Sequence, residues 1–152
     1  MSVWSPRTTV AAVISDGDRF LMVEEAPRQG TSLFNQPAGH LEDGETLVEA
    51  AHREVREETA WGFVPLGLVG VYKWRVPAAN LTYVRYCFHG TPGRHDAHQP
   101  LDGDIMATHW MTAAEILGLR QRHRSPMVVH CLNDFIAGRS YPLELINEIE
   151  SP

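Results

Sequence analysis

Cysteine is scarce in this chain: Cys87 and Cys131 are the only two in 152 residues. They form neither a metal-ligand spacing nor a disulfide framework. Their apolar neighbours mark both as buried free thiols in a reducing compartment. Long apolar runs are missing as well. No stretch approaches the ~20 residues that a membrane span needs, and MSVWSPRTTV at the start lacks the charged and apolar regions of a signal peptide. The expectation is a cytoplasmic protein with no membrane contact. Positive charge is in deficit, with 13 Lys and Arg against 19 Asp and Glu and a formal net charge of −6. That balance argues against nucleic acid as the main partner, because such binding runs on clustered cations. It leaves room for a small phosphorylated ligand, since a divalent metal inverts the local sign.

What is present suits one globular domain over residues 1–152, with 43% apolar and 21% charged residues. Residues 8–15 and 19–25 read as two strands joined by Asp16-Gly17-Asp18, a strong hairpin signal. Residues 26–40, punctuated by Pro27, Gly30, Pro37 and Gly39, read as a loop. A helix opens at Thr46, where Thr46 and Glu49 make a capping box, and closes between Thr59 and Gly62. Residues 66–76 and 81–90 read as strands paired across a turn at Pro77 to Asn80. Residues 90–104 read as an exposed polar loop, in which His95 and His98, with His89 just before them, are solvated rather than a metal tract. Residues 108–112 make a short strand, followed by a helix capped by Thr112 and Glu115. Ser125 and Pro126 open a last helix that stops at Gly138. Strands, helix, strands, helices in that order predict an α+β domain, an α/β/α layered arrangement around a mixed sheet.

Residues 37–63 crowd seven of the nineteen acidic side chains: Glu42, Asp43, Glu45, Glu49, Glu54, Glu57 and Glu58. At 100° per residue, Glu57 lies about 60° to one side of Glu54 and Glu58 about 40° to the other. Leu47, Ala50 and Ala51 fall on the same stripe, while Glu49, His52 and Arg56 fall opposite. A solvated charge run would place its acids away from the apolar stripe. Here the acids continue the stripe, so the helix aims them at the body of the protein. Carboxylates converging there repel one another unless a proton or a cation relieves them. All-oxygen ligation suits Mg²⁺ or Mn²⁺, the hard ions that bridge carboxylates to phosphates.

Gly39, then Glu45 after five residues, then Arg53-Glu54-Val55-Arg56-Glu57-Glu58 after seven more, resembles the Nudix box of hydrolases acting on nucleoside diphosphates linked to a further moiety. Phe34 to Glu42, Arg124-Ser125-Pro126 and Arg139 to Ile146 are similar to segments of the NudJ-type phosphatases within that family. The family pattern continues to a glycine where this chain has Ala60. Either Ala60 adopts a left-handed backbone, at about 1 kcal/mol, or Gly62 takes over that role.

The resemblance implies a Nudix-type sandwich and a Mg²⁺-dependent reaction, with Mn²⁺ as a substitute. It implies metal-binding oxygens from Glu54, Glu57, Glu58 and the carbonyl of Ala38, with Glu54 also a candidate for activating water. It further implies that Arg53 pairs with Glu45, holding the loop to the helix, and that a later acid, Asp102 or Asp104, contributes as base or ligand. For substrate contacts the expected residues are Asn35, Gln36, Trp74 with Tyr72, Arg75, Arg85 with Tyr83 and Cys87 on one strand face, Arg7, and Asp104. The implied substrates are 4-amino-2-methyl-5-hydroxymethylpyrimidine diphosphate and nucleoside di- and triphosphates, with release of phosphate. Two alternatives stand beside this: a house-cleaning nucleoside triphosphate or dinucleotide pyrophosphatase, and a non-catalytic nucleotide sensor. Monomer and homodimer are both open.

Overall fold

The computed structural model describes residues 2–152. Seven strands form one mixed sheet: β1 (Arg7–Asp16), β2 (Arg19–Glu25), β3 (Leu33–Asn35), β4 (Ala38–His40), β5 (Trp61–Val76), β6 (Leu81–His95) and β7 (Ile105–Thr112). The path runs β3-β2-β1-β6-β5, with β4 added to β1 and β7 to β2. Among the strand pairs of the described residues, only β1 and β6 run parallel, from Arg7 beside Tyr83 to Ile14 beside Gly90. The β1–β2 hairpin pairs only at its tip, Ser15 with Phe20 and Asp16 with Arg19. Beyond that tip the two strands part, and the sheet opens into a β4-β1-β6-β5 half and a β3-β2-β7 half.

Period-two alternation along β1 decides which helix covers which face. Val10, Ala12 and Ile14 pack with Leu21, Phe63, Leu68 and Phe88 beneath Ala50, Ala51 and Val55 of α1 (Leu47–Thr59). Ala11 and Val13 point the other way, into a second core with α2 (Ala113–Gly118) and α3 (Met127–Ile136), which supply Ile116, Val128, Cys131 and Leu132. The outcome is the expected α/β/α arrangement with a core on each face of a mixed sheet. Both cysteines are free and buried in the second core. Among the described residues no helix is long and apolar enough to cross a membrane.

Helix α1 begins as its sequence dictates. Thr46 Oγ1 accepts from the Glu49 N–H at 3.1 Å, and the Glu49 carboxylate accepts from the Thr46 N–H at 3.4 Å. Such a cap contributes about 1 kcal/mol. At the far end Ala60 itself is left-handed, with φ 60° and ψ 15°, and its N–H donates to the Arg56 carbonyl. Gly62 does not take that role. Ser125 Oγ accepts from the Met127 N–H at 3.2 Å where α3 begins, and Pro126 is the residue at its N-cap.

Two expectations are corrected. Residues 26–40 are not all loop, because β3 pairs with β2 and β4 pairs with β1. Nor is the stretch from Gly90 to His95 an exposed loop: it extends β6, pairing with β5 from Trp61 onwards. Gly and Pro in both segments read as loop punctuation, yet here glycine serves close backbone approach, and bulges at 61–63, 65–67 and 68–70 of β5 absorb the irregularity. A Cβ on Gly90 would overlap the Val64 carbonyl across the ladder. The C-terminal segment is tied down as well: Tyr141 exchanges backbone hydrogen bonds with Leu68, and Glu148 accepts from the Leu47 N–H at 3.0 Å.

Candidate active site

Helix α1 presents its acids beside β4, which pairs with the middle of β1. Oxygens of Glu54, Glu57 and Asp102 all lie within 4.8 Å of one another. The first two come from the buried stripe. Asp102 arrives from the loop after β6, which is clipped to the C-terminal end of α1. The backbone N–H of Asp96 donates to the Ala60 carbonyl and that of Asp102 to the Glu57 carbonyl, each at 2.9 Å, and the Gln99 side-chain amide donates to the Arg56 carbonyl at 2.6 Å. The Glu57 carbonyl, left free at the helix end, thus becomes an anchor of the loop, beside the Arg56 carbonyl that also accepts from Ala60. Of the two acids expected from that loop, Asp102 joins the cluster. Asp104 does not; it is exposed, and its carbonyl accepts from the Ala26 N–H.

Gly39 is the counterpart of this arrangement. A Cβ there would overlap the carboxyl of Glu54, so the glycine leaves room for that carboxyl against β4. Glu58 takes a different part from its neighbours. Its carboxyl accepts from the Ala38 N–H at 2.8 Å and lies outside the group of three. The N–H of Ala38 on β4 therefore faces the helix acids. Burial pushes the Glu58 carboxyl up to about 9, with Glu54, Glu25 and Asp102 adding to the rise. Burial also raises Glu54, against the opposing pull of Arg53, and raises Asp102 with help from Glu57.

Among the described residues, Arg53 is the one cation paired with the cluster. It donates to Glu54 at 2.7 Å and Glu57 at 3.3 Å. Its other nitrogens hold Glu45 at 2.8 and 2.9 Å and the His40 carbonyl at 2.9 Å. One planar fork thereby ties loop, strand and helix together. The pairing keeps Glu45 below the usual carboxylate range. Oxygen donors alone, close-set and short of compensating charge, are a donor set that fits a hard divalent cation.

A second polar group lies one strand away. The buried guanidinium of Arg85 donates to Gln36 at 3.1 Å and Asn35 at 3.2 Å, and Asn35 donates to Glu25 at 3.4 Å. Three expected contacts, Asn35, Gln36 and Arg85, therefore come together, and Arg124 extends the chain by pairing with Glu25 at 3.4 Å. Trp74 stands beside Tyr83, ring centroids 5.5 Å apart, over the start of α3. Tyr72 on the same strand face donates to Asp134 at 2.7 Å, so its hydroxyl is already engaged. Arg75 alternates to the opposite, exposed face of β5, away from these groups, and Arg7 is exposed at the start of β1. Glu25, Gln99 and Arg124 were not anticipated. Glu25 sits at a strand end, and neither Gln99 nor Arg124 has a chemical signal in isolation.

Comparison with known proteins gives this geometry its context. A family model described as the NUDIX domain matches residues 5–129. The chain belongs to the Nudix family. Phosphatase NudJ of Escherichia coli K12 is 39% identical over 150 residues, covering 99% of this chain and 96% of that protein. A solved NUDIX hydrolase from Nitrosomonas europaea is 41% identical, superposes with a TM-score of 0.92, and covers 95% of this chain and 98% of its own. The bifunctional NMN adenylyltransferase/ADP ribose pyrophosphatase of Francisella tularensis shares the fold at 19% identity and a TM-score of 0.70, over 88% of this chain and 42% of its own. This Nudix protein is accordingly a hydrolase of phosphoric anhydride bonds in small nucleotide or diphosphate substrates, from a family that uses divalent metal.

Proposed function

We propose that this Nudix protein is a cytoplasmic, Mg²⁺-dependent phosphatase of the NudJ type. In this reading it releases orthophosphate from 4-amino-2-methyl-5-hydroxymethylpyrimidine diphosphate and from nucleoside di- and triphosphates. The observation that carries the reading is the convergence of Glu54, Glu57 and Asp102 oxygens within 4.8 Å. These three, with Glu58 alongside, would hold Mg²⁺, or Mn²⁺ in its place. Bound there, the ion would neutralise phosphate oxygens and lower the pKa of a coordinated water.

The chain's own residues supply the rest. Arg53 fixes Glu54 and Glu57 while holding Glu45, and Gly39 leaves room for the Glu54 carboxyl. Glu54, raised by burial, suits the acceptance of a proton from the attacking water, because a base works best when its pKa lies close to the operating pH. Water then adds to the terminal phosphorus as the anhydride P–O bond breaks, giving orthophosphate and the shortened phosphate. Close similarity to Phosphatase NudJ over nearly the whole chain supports the choice of products.

The test is a substrate panel with Mg²⁺ in which orthophosphate and pyrophosphate are measured separately. Orthophosphate from both the pyrimidine diphosphate and nucleoside diphosphates is expected. Pyrophosphate as the sole product from triphosphates would replace this reading with a pyrophosphatase, and equal rates in EDTA would remove the metal-dependent mechanism.

A further inference from the structure

Between β5 and the start of α3 lies an open groove of about 610 Å³, a volume typical of small-molecule sites. Trp74, Pro126 and Val129 contribute apolar surface to its lining, and Arg120, Arg124 and His130 contribute basic groups. No carboxylate lines it. It continues into a smaller groove of about 300 Å³ that shares Trp74, Pro126 and His130 and adds Lys73. In a protein of net charge −6, a groove lined by cations and an indole with no acid is a local reversal of sign.

Two features connect this groove to chemistry. Trp74 is held by its cross-strand partner Tyr83, centroids 5.5 Å apart and 21° from parallel, so the indole is oriented before any ligand arrives. Arg124 belongs to the groove and also pairs with Glu25, which joins Asn35 and Arg85 and adds to the field at Glu58. One salt bridge thus links a residue of the groove to Glu25, whose charge acts on Glu58.

We propose that this groove seats the organic end of the substrate, and that its occupant is a planar heteroaromatic ring carrying a phosphate. Trp74 supplies the stacking surface, and Arg120 and Arg124 meet the phosphate, so these three determine which diphosphates the enzyme accepts. The proposal rests on the reading of the acidic cluster as the hydrolytic centre only for its role in turnover. Binding to the groove can be measured without it.

The experiment uses the full chain in EDTA, with adenosine monophosphate as probe and ribose 5-phosphate as the same phosphate without a ring. Stacking of one base is worth about 1–3 kcal/mol, roughly 5- to 150-fold in affinity. Adenosine monophosphate is expected to bind at least about 10-fold tighter than ribose 5-phosphate. Trp74→Ala should remove that difference and Trp74→Phe should keep most of it. Arg120→Gln should weaken both probes by a similar factor. In turnover, Trp74→Ala should raise KM for a nucleoside diphosphate far more than it lowers kcat. Ribose 5-phosphate binding as well as adenosine monophosphate to the unaltered protein, or Trp74→Ala binding the nucleotide within about twofold of it, would overturn the proposal. Should Trp74→Ala not fold, the comparison of the two probes on the unaltered protein still decides. Trp74-dependent binding without turnover would support the groove while removing the hydrolytic reading; turnover with no ring preference would do the reverse.

Discussion

The backbone N–H of Asp102 donates to the carbonyl of Glu57 across 2.9 Å, and the carboxylates of the same two residues meet in the acidic cluster. This bond, one of three that dock the loop, delivers its acid. If Asp102 helps to hold the cation, Asp102→Asn should raise the Mg²⁺ concentration for half-maximal activity at least about 10-fold. Asp104→Asn, altering an exposed acid outside the cluster, should leave it unchanged. Gln99→Ala, which removes only the 2.6 Å bond to Arg56, should fall between them. A Mg²⁺ titration of activity for the three variants checks the order.

Gly39→Ala separates activity from stability. The added methyl meets the end of the Glu54 side chain rather than backbone, so the carboxyl can swing aside at small cost to the fold. Displacing a catalytic group by about 1 Å can cost about 100-fold in rate. The expected outcome is a melting temperature close to that of the unaltered protein with activity down about 100-fold. A large fall in melting temperature would show that β4 yields instead of Glu54.

Glu58 makes the metal-free protein sensitive to pH in a defined direction. Its carboxyl is raised from 4.5 to about 9 by burial. Between those values the unfolded chain has released a proton that the folded chain keeps, so stability falls as pH rises and flattens above about 9. Glu58→Gln preserves an acceptor for the Ala38 N–H and removes this penalty. In EDTA the variant should therefore melt higher than the unaltered protein at pH 8, and the gap should close towards pH 4.5. Calorimetry across that range tests it; a constant gap would mean that Glu58 does not titrate as its burial dictates.

Ala60 occupies a left-handed conformation that glycine adopts more easily. Relief of about 1–2 kcal/mol of backbone strain competes with loss of one buried methyl, about 0.8 kcal/mol. Ala60→Gly should gain up to about 1 kcal/mol, or roughly 2–4 °C in melting temperature, with activity unchanged. A lower melting temperature would show that methyl packing outweighs the strain.

The local elements were legible because local rules govern them. Thr46 and Glu49 cap α1 through neighbouring atoms, and the angular positions of Glu54 and Glu58 beside Ala50 and Ala51 follow from helical period alone. Where the reading failed, the deciding partner lay far along the chain. Gly90 looked like loop punctuation because the Val64 backbone that makes its missing Cβ useful is 26 residues earlier. Likewise, β3 and β4 are strands only because β2 and β1 lie alongside them, since three-residue segments carry no periodic signal.

For the site the division is similar. Spacing along one helix was enough to aim Glu54, Glu57 and Glu58 the same way, since a helix converts spacing into direction, and the resemblance to the Nudix box added Glu45 and Arg53 to them. Tertiary structure alone chose Asp102 over Asp104, turned Glu58 to the Ala38 N–H, and gathered Asn35, Gln36, Arg85, Glu25 and Arg124 into one chain of contacts. It also decided which face of β5 is covered, putting Trp74 over α3 and Arg75 in solvent. The reason is physical: side-chain contacts across a sheet depend on strand order and on where loops dock, and neither is encoded within the span of a single motif.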